Sequence, residues 1–218
     1  CPSLIFPRAG NLINQIKNSS FTFKVIKFLY SRATIFLCQG PRWENFVVNE
    51  LDFDQSKVKV INNWTATKEL ISIGKNREYS YSDNIPKLLF VGWLEEFKGI
   101  FELLHACKNL NNSNILFHLT LAGNGGAEKL AKQFVEQHKL SSCVTFLGWV
   151  DSVSLEDILR ENNIFVLPSW SEGLPNAMIE AMAAGLAVVI TSVGMIPDYV
   201  QDGKHALLVP PRDKKSLE

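Results

Sequence analysis

WSEGLPNAMIEAMAAGLAVV, residues 170–189, is the stretch that decides how this chain folds. It follows an apolar, strand-like run at residues 164–168. Pro175 suits the first position of a helix, because its missing N–H would have no partner there and its φ is already helical. Gly185 suits the position just after the last helical residue, where a left-handed backbone is common. The pattern therefore predicts a strand, a short loop and a helix that ends at Gly185.

Two carboxylates, Glu172 and Glu180, bracket the start of this predicted helix. A helix N-terminus favours phosphate, because its N–H groups and its dipole both attract an anion. Carboxylates do not bind phosphate, but they accept hydrogen bonds from the hydroxyls of a sugar or a ribose. A diphosphate between two hydroxyl-bearing rings is a nucleotide sugar. The alternative is an ordinary helix with two solvated glutamates.

The residues of this stretch resemble the donor-site signature of glycosyltransferase family 4, with its E-x7-E pair. The matching segments are Pro168-Ser169, Glu172-Gly173-Leu174-Pro175-Asn176, Glu180 to Gly185 and Val188-Val189. The resemblance implies that Glu172 is catalytic and that Gly173, Leu174, Asn176 and Glu180 bind the donor. It also implies a GT-B fold.

Composition sets broad limits on the class of protein. The chain has 218 residues, 46% apolar and 20% charged, with 22 basic and 22 acidic side chains. These values are typical of a soluble globular protein, and the zero net charge gives no overall attraction to nucleic acid. The cysteines lie far apart in apolar surroundings, which favours buried free thiols in a reducing compartment over disulfides or a metal site; they are Cys1, Cys38, Cys107 and Cys143.

From residue 86 onward, short apolar runs alternate with helical patterns. Such continuous apolar strands are typical of a parallel sheet covered on both faces, whose ligands bind at the carboxyl ends of the strands. Strands are predicted at 87–91, 115–121, 144–147, 164–167, 187–191 and 206–209, and helices at 100–110, 127–138 and 151–160.

Residues 1–80 also have an α/β pattern, but too little of it for a complete domain. Residues 72–86 are polar, as a linker would be. The resemblance places 1–80 as the partial N-terminal, acceptor-side domain with its linker, and 86–218 as the C-terminal donor-binding domain. We expect that second domain to be Rossmann-like and truncated at its end, and the chain to be a fragment.

Two further loops after strands are candidate donor contacts. In the loop Gly92-Trp93-Leu94-Glu95-Glu96-Phe97-Lys98-Gly99, Lys98 supplies a point charge for phosphate, and the resemblance makes it catalytic. The family has an arginine where this chain has Trp93, which is expected to stack on a ring or to pack under the loop. The loop 121–126 does not meet the G-x-G-x-x-G spacing of a dinucleotide-binding loop. The resemblance places this loop close to the nucleotide, so Gly123 and Gly125 are expected to approach it through their backbone. Trp149 ends the next strand, where the family's base-binding segment falls.

Two features of the front part are also candidates for a functional role. Residues 17–32 mix basic and apolar side chains, which predicts a core-facing helix with a solvated basic edge; a helix on a membrane surface is the alternative. Arg8 lies in the loop after the first predicted strand and is a candidate donor contact only.

The chain resembles a partial glycosyltransferase, and the resemblance implies retention of anomeric configuration, no bound metal and no cofactor. Its partners would be a nucleotide diphosphate sugar and a carbohydrate or lipid-linked hydroxyl acceptor, with no nucleic acid. Analogy with the family places it in polysaccharide or glycolipid synthesis, in the cytoplasm or at the inner membrane face, in peripheral contact with the membrane. The alternatives are a nucleotide-sugar epimerase of the same fold and a domain that binds a nucleotide sugar without transferring it.

Overall fold

The computed structural model describes residues 2–7, 12–78 and 85–218. Arg8 and Cys1 therefore lie outside the described residues. Contacts divide the chain into two compact units. The first unit comprises Cys1–Asn63, Ser171–Leu174 and Val193–Tyr199, and the second comprises Trp64–Trp170, Pro175–Ser192 and Val200–Glu218. The predicted domains, 1–80 and 86–218, remain a prediction.

The first unit is built on a three-stranded parallel sheet in the order β1-β2-β3. Its core is aromatic: the Phe36 ring lies 6.5 Å from Trp43 and 5.7 Å from Phe53, and Trp43 lies 5.9 Å from Phe46. The α-helix Pro41–Asn45 continues as one turn of π-helix, Phe46–Glu50. The elements of this unit are β1 Leu4–Ile5, α1 Leu12–Lys17, α2 Ser20–Tyr30, β2 Ile35–Cys38, α3 Pro41–Asn45, β3 Val58–Val60 and a short helix Ile196–Tyr199.

Helix α2 departs from the sequence prediction. Phe23 and Ile26 are half-buried, and the Phe23 ring lies 6.4 Å from Phe46, so one face does pack on the core. The opposite face is apolar and exposed, in addition to the expected basic edge, on which Lys24 is exposed. Phe21 is 78% exposed and Phe28 58% exposed. The prediction of a simple core-facing helix is therefore wrong for half of the helix.

The second unit holds a six-stranded parallel sheet in the order β6-β5-β4-β7-β8-β9. Its strands are β4 Lys87–Val91, β5 His118–Ala122, β6 Val144–Gly148, β7 Ile164–Leu167, β8 Ala187–Thr191 and β9 Leu207–Val209. From β4 the chain adds β5 and β6 on one side of the sheet, and from β7 it adds β8 and β9 on the other side. The strand order therefore reverses between β4 and β7. Parallel sheets of this kind bind ligands at that reversal, outside the carboxyl ends of the strands. The predicted α/β class with a Rossmann-like parallel sheet is confirmed.

The helices of the second unit also follow the sequence pattern closely. The side chain of Asp151 caps one of them by accepting a hydrogen bond from the N–H of Ser154. Gly185 adopts φ 75°, the left-handed conformation expected of a residue after a helix end. The helices are α4 Lys68–Lys75, α5 Ile100–Asn112, α6 Glu128–Gln137, α7 Ser152–Glu161 and α8 Asn176–Ala183.

Helix α4 was not predicted. Arg77, two residues after its end, links this segment to distant parts of the second unit. The guanidinium of Arg77 donates to three backbone carbonyls of the second unit: Ala184 at 2.8 Å, Asn162 at 2.7 Å and Leu159 at 2.5 Å. These carbonyls belong to the ends of α7 and α8, where helices have no internal partners for their last C=O groups. Arg77 therefore satisfies two helix ends at once.

The predicted free thiols are present in the described parts of the chain. Cys38 at the end of β2 and Cys107 in α5 are buried, and Cys143 is half-buried. Burial raises the pKa of Cys38 to about 12, with the Glu44 charge adding to it. Burial likewise raises the pKa of Cys107 to about 12.

Candidate functional site

The loops after β4, β5 and β6 lie side by side at the carboxyl edge of the second sheet. The N–H of Gly92 donates to Ala122 O at 3.0 Å, and the N–H of Gly123 donates to Gly148 O at 2.7 Å. The N–H of Leu94 donates to Asn124 O at 2.9 Å. Backbone hydrogen bonds thus hold the three loops in one layer.

Two of the predicted donor-binding glycines are required by this close packing. A Cβ at Gly123, where φ is 140°, would lie 1.9 Å from the carbonyl oxygen of Gly92. A Cβ at Gly125 would lie 2.3 Å from Leu94 O. Any other residue would force the loops apart, which explains both glycines by packing. Their contact with a nucleotide stays a prediction.

These loops line an open cavity of about 330 Å³. Two tryptophans present large apolar surfaces to it, since Trp93 is 67% exposed and Trp149 is 73% exposed. Of the two expectations for Trp93, packing under the loop is therefore wrong. The volume lies at the small end of the range for ligand pockets. The lining residues are Val91, Gly92, Trp93, Ala122, Gly123, Asn124, Trp149 and Val150.

Lys98 ends the loop after β4, in a single 3-10 turn, Glu96–Lys98, just before α5. Its Nζ lies 5.6 Å from the centre of the Phe97 ring. This turn is packed against the end of β7: the N–H of Trp170 donates to Phe97 O at 2.8 Å, and a Cβ at Gly99 would lie 2.0 Å from Pro168 O. Lys98 is thereby fixed at the reversal of strand order, between the ends of β4 and β7.

Helix α8 carries Asn176 as its first residue and Glu180 one turn further on. Pro175 directly precedes the helix as its cap residue, one position earlier than predicted. Burial raises the pKa of Glu180, and hydrogen bonding to the Thr65 side chain partly offsets this rise. The Thr65 hydroxyl also lies 3.4 Å from Asn176 O. Glu180 is thus a half-buried carboxylate, and such a group can accept hydrogen bonds from the hydroxyls of a ligand.

Glu172, Gly173 and Leu174 belong to the first unit. Glu172 is 8% exposed. The N–H of Met195 donates to Gly173 O at 3.1 Å, and the Leu174 carbonyl accepts from Asn63 Nδ2 at 2.7 Å. The loop of the predicted catalytic carboxylate is therefore held by hydrogen bonds on both sides.

The structure groups the predicted site residues in three places. Gly92, Trp93 and Gly123 line one cavity; Lys98 lies in the same loop as the first two. Asn176 and Glu180 share α8, while Glu172, Gly173 and Leu174 share the loop of the first unit. Sequence reasoning missed Asn63 and Thr65, for which no local pattern gave a signal. In the parts of the chain that the structure describes, no three His, Cys, Asp or Glu side chains converge as metal ligands would.

Comparison with known proteins gives the relatives of this chain. The family model for Glycosyl transferases group 1 matches residues 85–218. The amylovoran biosynthesis glycosyltransferase AmsK of Erwinia amylovora is 32% identical over 137 residues, 60% of this chain and 34% of AmsK. The chain thus spans about a third of that relative.

Solved structures share the fold over almost the whole chain. Sucrose-phosphate synthase from Thermosynechococcus elongatus has a TM-score of 0.75 at 23% identity, over 98% of this chain and 56% of its own. Anabaena HepE in complex with UDP and glucose has a TM-score of 0.75 at 19% identity, over 99% of this chain and 60% of its own. At these identities the likeness supports the GT-B fold alone. The family model matches more than half of this chain, which therefore belongs to the group 1 glycosyl transferases.

Proposed function

We propose that this chain is part of a glycosyltransferase that moves a sugar from a nucleotide diphosphate sugar to a hydroxyl acceptor, with retention of anomeric configuration. The observation that carries the proposal is the cavity bounded by Trp93 and Trp149 at the carboxyl ends of β4, β5 and β6. Exposed indoles offer flat apolar faces on which a planar base can stack. The Lys98 turn lies in the same loop as one of these indoles, where a diphosphate attached to the base needs positive charge.

Each candidate residue has a distinct part in this proposal. Lys98 and the N–H groups at the start of α8 bind the diphosphate. Lys98 carries a positive charge, and the helix N-terminus is the positive end of the helix dipole. Glu180 accepts hydrogen bonds from the ribose hydroxyls. Glu172 accepts them from the hydroxyls of the sugar that is transferred.

In the reaction, the bond between the anomeric carbon and the diphosphate oxygen breaks, and the acceptor oxygen bonds to that carbon on the same face. The acceptor's proton leaves with the diphosphate, whose growing negative charge Lys98 stabilises. Glu172 holds the sugar in the reacting position, so the protein contributes mainly charge stabilisation and orientation.

The relatives support a biosynthetic role. AmsK is named for amylovoran biosynthesis, and HepE was crystallised with UDP and glucose. We place this chain in polysaccharide or glycolipid synthesis, with a carbohydrate or lipid-linked acceptor and a hexosyl donor. We place its action in the cytoplasm, at the inner membrane face.

Labelled nucleotide sugars test the proposal. Incubation of the protein with labelled UDP-sugars and a mixed hydroxyl acceptor should release UDP and yield a labelled glycoside. A new sugar stereoisomer would instead identify an epimerase, and binding without UDP release would identify a binding domain.

Lys98→Ala should weaken UDP binding by about 1.5–3 kcal/mol, the range for hydrogen bonds to charged groups. Unchanged affinity in a folded variant would remove Lys98 from the site.

Helix α2 supports the peripheral membrane contact. Its exposed apolar stripe consists of Phe21, Val25, Phe28 and Leu29. Basic side chains border the stripe: Lys24 is exposed, and the Arg32 guanidinium lies 3.6 Å from the centre of the Phe28 ring. Apolar side chains flanked by cations suit the boundary of an anionic bilayer. In residues 2–7, 12–78 and 85–218, no helix is both long and apolar enough to span a bilayer.

The double variant Phe21→Ser, Phe28→Ser should lose most of its binding to vesicles that contain phosphatidylglycerol. Removing two inserting aromatic side chains costs about 3 kcal/mol or more of apolar burial, a fall in partitioning of over 100-fold. Flotation of the protein with vesicles measures this partitioning. Val153→Ser is the control, because Val153 is an equally exposed apolar residue on α7. Equal flotation of the double variant and the control would contradict the membrane contact.

A further inference from the structure

The loop Ser171–Leu174 is fixed by side chains that follow the strands of the first sheet. Asn63, three residues after β3, donates from Nδ2 to the carbonyl oxygen of Leu174 at 2.7 Å. Asn63 and Leu174 both belong to the first unit, although they are 111 residues apart in sequence. This hydrogen bond joins the end of the first sheet to the loop that contains Glu172.

The orientation of the Asn63 amide is itself determined by a neighbour. Gln39, which directly follows β2 and is buried, donates from Nε2 to Asn63 Oδ1 at 2.9 Å. Because Oδ1 is engaged as an acceptor, the amide presents Nδ2 toward the Leu174 carbonyl. The Tyr199 hydroxyl lies 3.2 Å from Gln39 O and 2.7 Å from Asn62 Oδ1, and so ties Gln39 in place.

The other side of the loop is held by the segment Val193–Tyr199. Gly194 has φ 60°, and a Cβ there would lie 1.9 Å from the carbonyl oxygen of Glu172. Arg42 donates from Nη1 to Gly194 O at 2.6 Å and from Nη2 to Asp198 at 3.1 Å. The backbone of Glu172 therefore lies against Gly194, while Asn63 holds the following Leu174 carbonyl.

We propose that Asn63 is a positioning residue for Glu172: its amide holds the Ser171–Leu174 loop so that the carboxylate is ready for the transferred sugar. The inference rests on the role proposed above for Glu172. Asn63 touches no reacting atom in this assignment and acts through the loop backbone. A misplacement of about 1 Å at a catalytic group can lower the rate roughly 100-fold, so one hydrogen bond to this loop matters for turnover.

The test compares Asn63→Asp with Asn62→Asp. Asn63→Asp removes the donor and sets a carboxylate against the Leu174 carbonyl, so the hydrogen bond is lost. Asn62→Asp makes the same chemical change one residue away but keeps the oxygen that accepts from Tyr199. Asn63→Leu, which has a similar shape without polar atoms, is the second variant in case Asn63→Asp does not fold.

Two measurements are made on each variant. Hydrogen exchange of peptides that cover residues 171–174 and 193–199 reports how firmly the loop is held. Steady-state kinetics with the donor found in the UDP-sugar screen separates kcat from KM. For Asn63→Asp we expect loop exchange and kcat to change by about 10-fold or more, with KM for the donor within about 2-fold, since one lost hydrogen bond is about 1.4 kcal/mol.

The outcomes separate the inference from the proposed function. Faster loop exchange with a lower kcat in the Asn63 variants, and neither change in Asn62→Asp, supports the positioning role. Equal exchange and kcat in the two asparagine-to-aspartate variants overturns it, as does faster exchange with unchanged kcat. If the unaltered protein transfers no sugar, the proposed function fails, and the exchange measurement alone still decides whether Asn63 holds the loop.

Discussion

Glu180→Gln is expected to weaken binding of both UDP and the UDP-sugar about 10-fold, whereas Glu172→Gln leaves UDP binding nearly unchanged and lowers kcat about 100-fold. Each change keeps the shape of the side chain and removes its charge. The difference arises because Glu180 is assigned to the ribose, which both ligands contain. Glu172 is assigned to the transferred sugar, which UDP lacks.

The structure gives a physical reason for treating the glutamates separately. Glu180 lies on α8 in the second unit, while Glu172 lies in a loop of the first unit. Burial raises the pKa of Glu180, so its ionised form destabilises the unliganded protein at a pH above that pKa. Glutamine resembles the protonated form, and Glu180→Gln should therefore be at least as stable as the unaltered protein at pH 7. A loss of affinity in this variant would not come from unfolding.

Isothermal titration calorimetry with UDP and with the UDP-sugar, on both variants, gives the four affinities needed. Circular dichroism at pH 7 checks that both variants are folded. The assignment fails if Glu172→Gln weakens UDP binding as much as Glu180→Gln does.

Arg77→Met should lower the free energy of unfolding of the second unit by about 3 kcal/mol or more. The change keeps most of the aliphatic side chain but leaves the carbonyls of Leu159, Asn162 and Ala184 without the guanidinium, and an unsatisfied buried polar group costs about 1–3 kcal/mol. A shift of the urea midpoint at unchanged slope measures the loss.

Arg160→Met is the matched control for this stability test. Arg160 lies on α7, next to one of the three carbonyls, but its side chain is exposed to solvent. We expect its removal to change stability by less than about 0.5 kcal/mol, as for other surface substitutions. Equal urea midpoints for the two variants would show that Arg77 is not a structural tie.

The strands of the second unit were predictable because each is short, largely apolar and followed or ended by glycine, proline or a polar residue. Strands β4, β7 and β8 have the predicted bounds, and β5 begins three residues later than expected. A strand buried on both faces leaves this clear pattern in the sequence. The reversal of strand order between β4 and β7 is a long-range property, and only the structure gives it.

The segment before β4 shows where a local pattern is insufficient. Residues 72–86 are polar and suggested a linker, yet α4 ends at Lys75 and Arg77 makes long-range hydrogen bonds. The apolar face of α4 is small, with only Leu70 and Ile73 buried, so its pattern was weak. Its stability comes from packing that the sequence does not display.

The candidate site shows the same limit. Lys98, Glu172 and Glu180 could be predicted as candidates because they lie in loops or near a helix start, next to residues with special backbone roles. Asn63 could not be found in this way, because its partner, the Leu174 carbonyl, is a backbone group that every sequence contains. A hydrogen bond to a distant backbone group requires no particular residue type at the contacted position, so it produces no sequence pattern.

The buried thiols offer a separate reporter for each unit. Cys38 belongs to the first unit and Cys107 to the second, and each has a pKa of about 12. Alkylating reagents attack the thiolate, which these two groups scarcely form while they are buried. Each thiol therefore becomes reactive only when its own unit opens. The rates at which the two cysteines are alkylated, resolved by peptide mass, would report the opening rate of each unit independently.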